Sequence, residues 1–127
     1  MTENEIGAVI VDCAVNLHKD LGPGLLESVY EVILGRMLEK RGLKVERQKS
    51  VPIEFKGEVF DQGFRADLIV EEKVIIELKS VSSLNNAHKK QLLTYLKLTN
   101  LKLGFLLNFG EELMKDGITR VINGNLS

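Results

Sequence analysis

Two short apolar runs in the middle of the chain, Ala66–Val70 and Val74–Leu78, most constrain what this sequence can fold into. Both runs are rich in strand-forming residues, and only the charged segment Glu71–Lys73 separates them, which is typical of two antiparallel strands joined by a short loop. Apolar side chains occupy both faces of the runs, and such strands belong to a sheet that is covered on both sides. We therefore predict an α/β fold (mixed α+β) with a central mixed β-sheet flanked by helices.

The length of the loop decides which side chains of this hairpin meet. A three-residue loop places Asp67 directly opposite Glu77, and opposed residues project to the same face with Cβ atoms roughly 4.5–5.5 Å apart. Lys79 shares that face with Glu77 because side chains alternate along a strand. A two-residue loop would place Asp67 opposite Ile76, on the other face. We favour the three-residue loop, which gathers two acids and one lysine in a small space.

Two facing carboxylates repel each other unless a positive group joins them. A hard divalent cation with oxygen ligands, Mg²⁺ or Mn²⁺, is the natural candidate. Lys79 beside such a cation could orient or deprotonate a water molecule, or stabilise a charged transition state. The alternative is a surface ladder in which Lys79 pairs with Glu77 or Asp67. The pattern is short and common, so by itself it favours that alternative.

Composition places the chain in a broad class. The length of 127 residues predicts one domain over residues 1–127. Hydrophobic residues make up 44% and charged residues 28% of the chain, which indicates a soluble globular protein. No apolar run approaches the ~20 residues of a membrane span, and the acidic start lacks a signal peptide's basic segment. We therefore predict a cytoplasmic protein that does not enter a membrane. The net charge of −1 neither favours nor excludes nucleic acid.

Helix and strand signals flank the central hairpin. A capping box of Thr2 and Glu5 predicts the first helix, and Leu26, Val29, Ile33 and Met37 mark the expected buried stripe of the second. A helix between two strands predicts a parallel crossover. The predicted helices cover about residues 3–20, 25–41 and 86–99, and the predicted strands lie within residues 43–60, 66–70, 74–78, 103–109 and 118–122.

Several motifs, taken in order, resemble a known family. The segment Gly24–Tyr30, GLLESVY, matches the motif that names the GxxExxY proteins, a family assigned to the PD-(D/E)XK nuclease-like superfamily. The resemblance covers roughly residues 5–123 and implies a restriction-endonuclease-like core. It also implies that Asp67 and Glu77 are metal-binding catalytic acids and that Lys79 is the catalytic lysine of the E-x-K element.

The resemblance implies further roles near the acids. Glu27 matches an extra metal-binding acid that an early helix donates in many such nucleases. Gln91 and Tyr95 match a Q-x-x-x-Y element that supports the catalytic site in exonuclease-like branches. The backbone carbonyl of Leu78 is implied to face the metal.

The function predicted from these features is a nuclease that uses Mg²⁺ or Mn²⁺ to hydrolyse phosphodiester bonds, with DNA favoured over RNA. Arg65, Lys89, Lys90 and Tyr30 are the predicted substrate contacts, although a lone Tyr30 is more often a core-edge aromatic than a site residue. The alternative is a catalytically inactive module that keeps the fold to bind nucleic acid or a protein partner. A homodimer is a third interpretation, because so small a domain offers limited surface for a duplex.

Overall fold

The computed structural model describes residues 1–126, apart from the side chain of Gln62. Among the described residues, no helix is both long and apolar enough to cross a membrane. The helices are α1 (Glu3–Leu21), α2 (Glu27–Lys40) and α3 (Asn86–Thr99), with a 3₁₀ turn at Met114–Asp116. The strands are β1 (Val45–Phe55), β2 (Glu58–Val70), β3 (Val74–Lys79), β4 (Leu103–Asn108) and β5 (Ile118–Ile122).

The strands form one mixed sheet in the order β1-β2-β3-β4-β5. Strands β3 and β4, which α3 connects in the sequence, pair in parallel, as the crossover pattern predicts. The other neighbouring pairs are antiparallel. The parallel pair is central, where both faces can be covered. The predicted mixed sheet with flanking helices is therefore confirmed.

Local capping fixes the bounds of the first and third helices. The Thr2 hydroxyl accepts a hydrogen bond from the Glu5 backbone N–H, and the Glu5 carboxylate accepts one from the Thr2 N–H, which completes the predicted capping box. Asn85 caps α3 by accepting from the His88 N–H at 3.2 Å. Asn100 ends that helix in the left-handed conformation, with φ of 57°.

Two apolar layers cover the two faces of the sheet. Helices α1 and α2 pack on the face that carries Leu68, Val70 and Ile76. Helix α3 packs through Leu92 and Leu96 on the opposite face. The acid-bearing end of the central hairpin therefore lies between helices on both sides of the sheet.

The predicted buried stripe of α2 is confirmed only in part, because Ile33 and Met37 are partly buried against the core whereas Leu26 and Val29 are exposed. Leu26 is 73% exposed and Val29 is 38% exposed. The helix is turned so that a neighbouring face enters the core, because the Tyr30 ring stacks on Phe109 beneath the sheet at 4.3 Å between ring centroids. The buried residues of α2 are Tyr30, Glu31, Leu34, Gly35 and Leu38.

The strand that carries Asp67 is much longer than the predicted run at residues 66–70. Strand β2 begins at Glu58 because it pairs with β1 along almost its whole length. The two strands form a long ribbon whose outer end exposes Phe55, Val59 and Phe60. The inner end of the ribbon carries Asp67 into the centre of the sheet.

Candidate metal and catalytic site

The backbone ladder between β2 and β3 stops just before the two acids. Its final pair is Leu68 with Ile76, and its register confirms the three-residue loop. Asp67 and Glu77 are the next residues in that register. Their position at the end of the ladder makes them the residues where the two strands separate.

Carboxylate oxygens take over the hydrogen bonds at this point. The Asp67 backbone N–H donates to Oε2 of Glu77 at 2.9 Å. The Leu78 backbone N–H donates to Oδ2 of Asp67, also at 2.9 Å. Each acid therefore uses one oxygen to hold the opposite strand, and each keeps its second oxygen for another partner.

Where the strands separate, the alternation of β2 side chains between the two faces of the sheet is interrupted. Ala66 and Ile69, three residues apart, pack in the same cluster against α3, whereas Leu68 packs with α1 and α2. Regular alternation along a strand would not allow this. Next to the break, Gln48 in β1 has a positive φ of 51°, which is unusual for a residue other than glycine. The irregular backbone directs Asp67 into the gap between the strands.

Burial and charge perturb Glu77 strongly. Its side chain is only 7% exposed. Burial is the main cause that raises the pKa of Glu77 to about 8, and the nearby Asp67 charge raises it further, while Lys79 opposes the shift. Without a bound cation, Glu77 is therefore largely protonated at neutral pH. A cation between the acids would reverse this preference by favouring the ionised carboxylate.

Lys79 and Tyr95 face the acid pair. Lys79 is half-buried, and its charge acts on Glu77. Burial raises the pKa of Tyr95 above its usual value, and the charges of Glu77 and Asp67 raise it further. The Tyr95 ring stacks on Phe64 at 3.8 Å, which ties α3 to β2. Gln91 lies one turn earlier on α3 and is exposed.

The alternative of a surface ladder does not describe this arrangement. Glu77 is buried, and within residues 1–126 Lys79 forms no ion pair with Glu77 or Asp67. The ion pairs of the described residues join other side chains, such as Arg47 with Glu31 at 3.0 Å. The lysine is thus near the acids without neutralising either one through direct contact.

The predicted substrate contact of Tyr30 is wrong, because its side chain is fully buried. Its hydroxyl donates to the Gly22 carbonyl at 2.5 Å and accepts from the Leu25 N–H at 3.2 Å. These bonds close the loop between α1 and α2, in which Gly24 has a φ of 109° that few other residues could adopt. Tyr30 therefore shapes this loop from inside the core.

Glu27 is exposed at the first residue of α2, which follows this loop. The Ser80 hydroxyl donates to the Leu25 carbonyl at 3.1 Å, so the start of α2 lies against the end of β3, where Lys79 is located. Within residues 1–126, however, no three His, Cys, Asp or Glu side chains form a group that could hold a metal. The structure therefore does not join Glu27 to Asp67 and Glu77 in a three-acid site.

The three predicted basic contacts lie on the surface. Arg65 is exposed on β2 and pairs in register with Ser50 of β1. Lys89 and Lys90 are exposed near the start of α3. All three side chains are free to meet a ligand, and none is enclosed by the acid site.

The donors at the separation of β2 and β3 suit a hard divalent cation. Asp67 and Glu77 each have an oxygen that no backbone N–H of the pair occupies. The Leu78 carbonyl points to the same edge of β3 as its N–H, which contacts Asp67. Mg²⁺ is commonly held by one or two carboxylates together with water and substrate phosphate. The donor set therefore fits Mg²⁺ or Mn²⁺ without a closed cage.

Two residues beside the acid pair were not predicted from the sequence. Glu31 is buried in α2, and Gln48 lies between Glu31 and Asp67. In the sequence, the burial of Glu31 is indicated only by its position next to Tyr30 and three residues before Leu34. Both of these neighbours are buried in the structure. That signal becomes informative only once the buried face of α2 is known.

A family model for the PD-(D/E)XK nuclease superfamily matches residues 4–121. The chain belongs to the PD-(D/E)XK nuclease superfamily. Its mixed sheet with flanking helices is consistent with the restriction-endonuclease-like core of this superfamily. The matched range includes Asp67 and the segment Glu77–Lys79. A search of curated proteins finds no match to the chain.

The raised pKa of Glu77 predicts that the metal-free protein loses stability as pH rises. An unfolded chain ionises this carboxyl near its ordinary value of 4.5, whereas the folded protein keeps the proton up to about pH 8. The folded state thus binds more protons across this window, so its free energy of unfolding falls with rising pH and levels off above the window. Thermal melts in chelator at about pH 6 and about pH 9 measure the effect.

The matched control for this prediction is Glu77→Gln, which removes the titrating group. The difference in melting temperature between the wild type and this variant isolates the contribution of Glu77 from that of all other groups. We expect the melting temperature of the wild type to fall relative to that of the variant as pH rises. A difference that stays constant with pH would contradict the assigned pKa.

Proposed function

We propose that the protein is a nuclease that hydrolyses phosphodiester bonds with Mg²⁺ or Mn²⁺ as its cofactor. The observation that carries the proposal is the pair of half-buried Asp67 and buried Glu77, with Lys79 beside it, at the point where β2 and β3 separate. Membership of the PD-(D/E)XK nuclease superfamily supports the same activity.

In this proposal, oxygen atoms of Asp67, Glu77 and the Leu78 carbonyl hold the cation. When bound, the cation neutralises phosphate charge and lowers the pKa of a water ligand. Glu77 must release its proton to become a ligand, since its pKa is about 8 in the metal-free protein. Cation binding should therefore strengthen as pH rises toward that value.

Lys79 acts on the nucleophile and on the developing charge. Its ammonium group is placed by β3 on the same face as Glu77, because the two residues are two positions apart on a strand. From there the ammonium orients the attacking water or stabilises the negative charge on the phosphate, and only the neutral amine form of Lys79 would take a proton from that water. Tyr95 and Gln91 support the site from α3, and Glu27 acts from α2 through water.

The proposed substrate is nucleic acid, DNA more than RNA. Arg65, Lys89 and Lys90 are exposed and would contact phosphates. Such contacts position the backbone of a nucleic acid without reading its sequence. With a net charge of −1, the protein has no general excess of positive charge, so these few local contacts would carry the attraction.

A second candidate function is a binding module that has kept the fold without catalysis. Two observations favour it. The acid pair is compatible with the metal-free fold because protonation can neutralise Glu77. In addition, the described residues provide no third acid at the pair. Such a module would bind nucleic acid or a protein partner without cleaving it.

A cleavage assay separates the two functions. Labelled single-stranded, duplex and branched DNA, together with RNA, would be incubated with Mg²⁺, Mn²⁺ or EDTA. We expect metal-dependent cleavage by the wild type and a loss of roughly a hundredfold or more in Lys79→Met, which keeps most of the side-chain length but removes its charge. Lys97→Met is the matched control, because Lys97 is an exposed lysine in the last turn of α3.

The outcomes of this assay have different meanings. Cleavage by the wild type and Lys97→Met, but not by Lys79→Met, supports the nuclease. Equal cleavage by all three proteins would contradict the role of Lys79. No cleavage of any substrate together with no Mn²⁺ binding would favour the binding module.

A further inference from the structure

A buried acid lies behind the metal-binding pair and contacts it through one intervening side chain. Glu31 of α2 is only 4% exposed. Its Oε2 accepts from Nε of Arg47 at 3.0 Å, and its Oε1 accepts from Nε2 of Gln48 at 2.5 Å. Buried charges are found where they are paired or hydrogen-bonded, and Glu31 has a donor on each oxygen.

Gln48 continues the chain of contacts to Asp67. Its Nε2 lies 3.3 Å from Oδ1 of Asp67, and the same nitrogen donates to Glu31. A side-chain amide nitrogen carries two hydrogens, so it can serve both carboxylates at once. An ionised carboxylate only accepts, so Glu31 selects the NH₂ group of Gln48, rather than its oxygen, for this position.

The backbone of Gln48 is also adapted to this contact. It has a φ of 51° within β1, where extended backbone is the rule and an L side chain seldom adopts such a value. Unusual backbone conformations persist where surrounding contacts hold them in place, and they cluster at functional sites. Here the contacts are those with Glu31 and Asp67, immediately beside the break in the β2 alternation.

We propose that Gln48, oriented by Glu31, is a positioning residue that fixes the Asp67 carboxylate for cation binding. The inference rests on the metal site of the proposed function. The Leu78 N–H holds Oδ2 of Asp67, and the Gln48 amide holds Oδ1. Two donors on opposite oxygens restrict rotation of the carboxylate while leaving lone pairs available. Arg47 balances the charge of Glu31, which limits its repulsion of Asp67.

A purely structural role for this chain of contacts makes a different prediction. Contacts that only tie α2 to β1 would change the stability of the protein when removed, and they would leave cation affinity unchanged. Positioning residues instead change cation affinity in a protein that stays folded. The two roles are separable because Gln48 does not itself provide an oxygen to the proposed cation site.

The test compares Gln48→Gly with Lys56→Gly by calorimetric titration with Mn²⁺. Both replaced residues have a φ of 51°, and Lys56 lies at the turn between β1 and β2, outside the acid site. Glycine relieves the positive-φ backbone at either position, but Gln48→Gly also leaves Oε1 of buried Glu31 without its donor, so both variants are titrated below melting temperatures measured for each. We expect Gln48→Gly to bind Mn²⁺ about tenfold more weakly than the wild type, with Lys56→Gly unchanged.

A second variant tests the role of Glu31. Glu31→Gln keeps an oxygen that can accept from Gln48, so its Mn²⁺ affinity should lie between those of the wild type and Gln48→Gly. Wild-type affinity in Gln48→Gly would overturn the inference. If the wild type itself binds no Mn²⁺, both the proposed cation site and this inference fail. The titration measures Mn²⁺ affinity and does not require cleavage. It therefore tests the role of Gln48 even if the protein binds the cation without being active.

Discussion

Glu77→Gln is expected to lower Mn²⁺-dependent cleavage by more than about a hundredfold, since changes to groups that only support a metal ligand already cost roughly 10–100-fold. The amide has the shape of the acid but lacks the negative charge that a cation requires. The variant should nevertheless be well folded. Its buried side chain never needs to ionise, whereas the wild-type carboxyl has a pKa of about 8.

This combination distinguishes a lost ligand from a damaged fold. The measurement is a cleavage time course together with thermal melts of the same preparations in chelator. Glu54→Gln is the matched control, because Glu54 is an exposed glutamate on β1. Cleavage by Glu77→Gln at the wild-type rate would remove Glu77 from the catalytic site.

Tyr30→Ala is expected to be the most destabilising of the substitutions considered, by about 3–5 kcal/mol, since it removes a large buried aromatic side chain. The ring is fully buried and stacks on Phe109. Tyr30→Phe keeps the ring and removes only the hydroxyl. It should cost about 1–3 kcal/mol, because polar groups of the loop lose their hydrogen-bond partner. Chemical denaturation of both variants measures these costs.

The same pair of variants tests whether Tyr30 contacts a substrate. The Tyr30 hydroxyl serves the backbone of Gly22 and Leu25, inside the protein. Tyr30→Phe should therefore cleave at nearly the wild-type rate at a temperature where it remains folded. A Tyr30→Phe protein with wild-type stability and little cleavage would restore the substrate contact that the structure argues against.

The hairpin that carries the acids could be predicted because its pattern is local. Strand periodicity and a short loop leave few registers, and a shift of one residue would move the acids to the opposite face. The loop lacks the glycine or asparagine that a tight turn favours. Instead, Glu71 and Glu72 adopt positive φ values of 54° and 55°. The register was thus recoverable although the loop chemistry was unusual.

The features that could not be predicted depend on contacts between distant segments. The apolar spacing of α2 does not reveal which face of the helix packs on the sheet. That face is determined by the stacking of Tyr30 on Phe109, which lies far away in the sequence. Glu31 looks like one more surface acid until Arg47 and Gln48 are seen to approach it. The extension of β2 likewise depends on its pairing with β1. Sequence patterns therefore located the acids and missed part of their support.

Anomalous diffraction from crystals soaked in Mn²⁺ tests most directly whether Asp67 and Glu77 form a divalent-cation site. A manganese peak is expected within roughly 2.0–2.6 Å of an oxygen atom from each carboxylate. Crystals of Glu77→Gln, soaked in the same way, should lose that peak. Wild-type crystals with no peak at the pair, or with manganese bound only elsewhere, would contradict the claim.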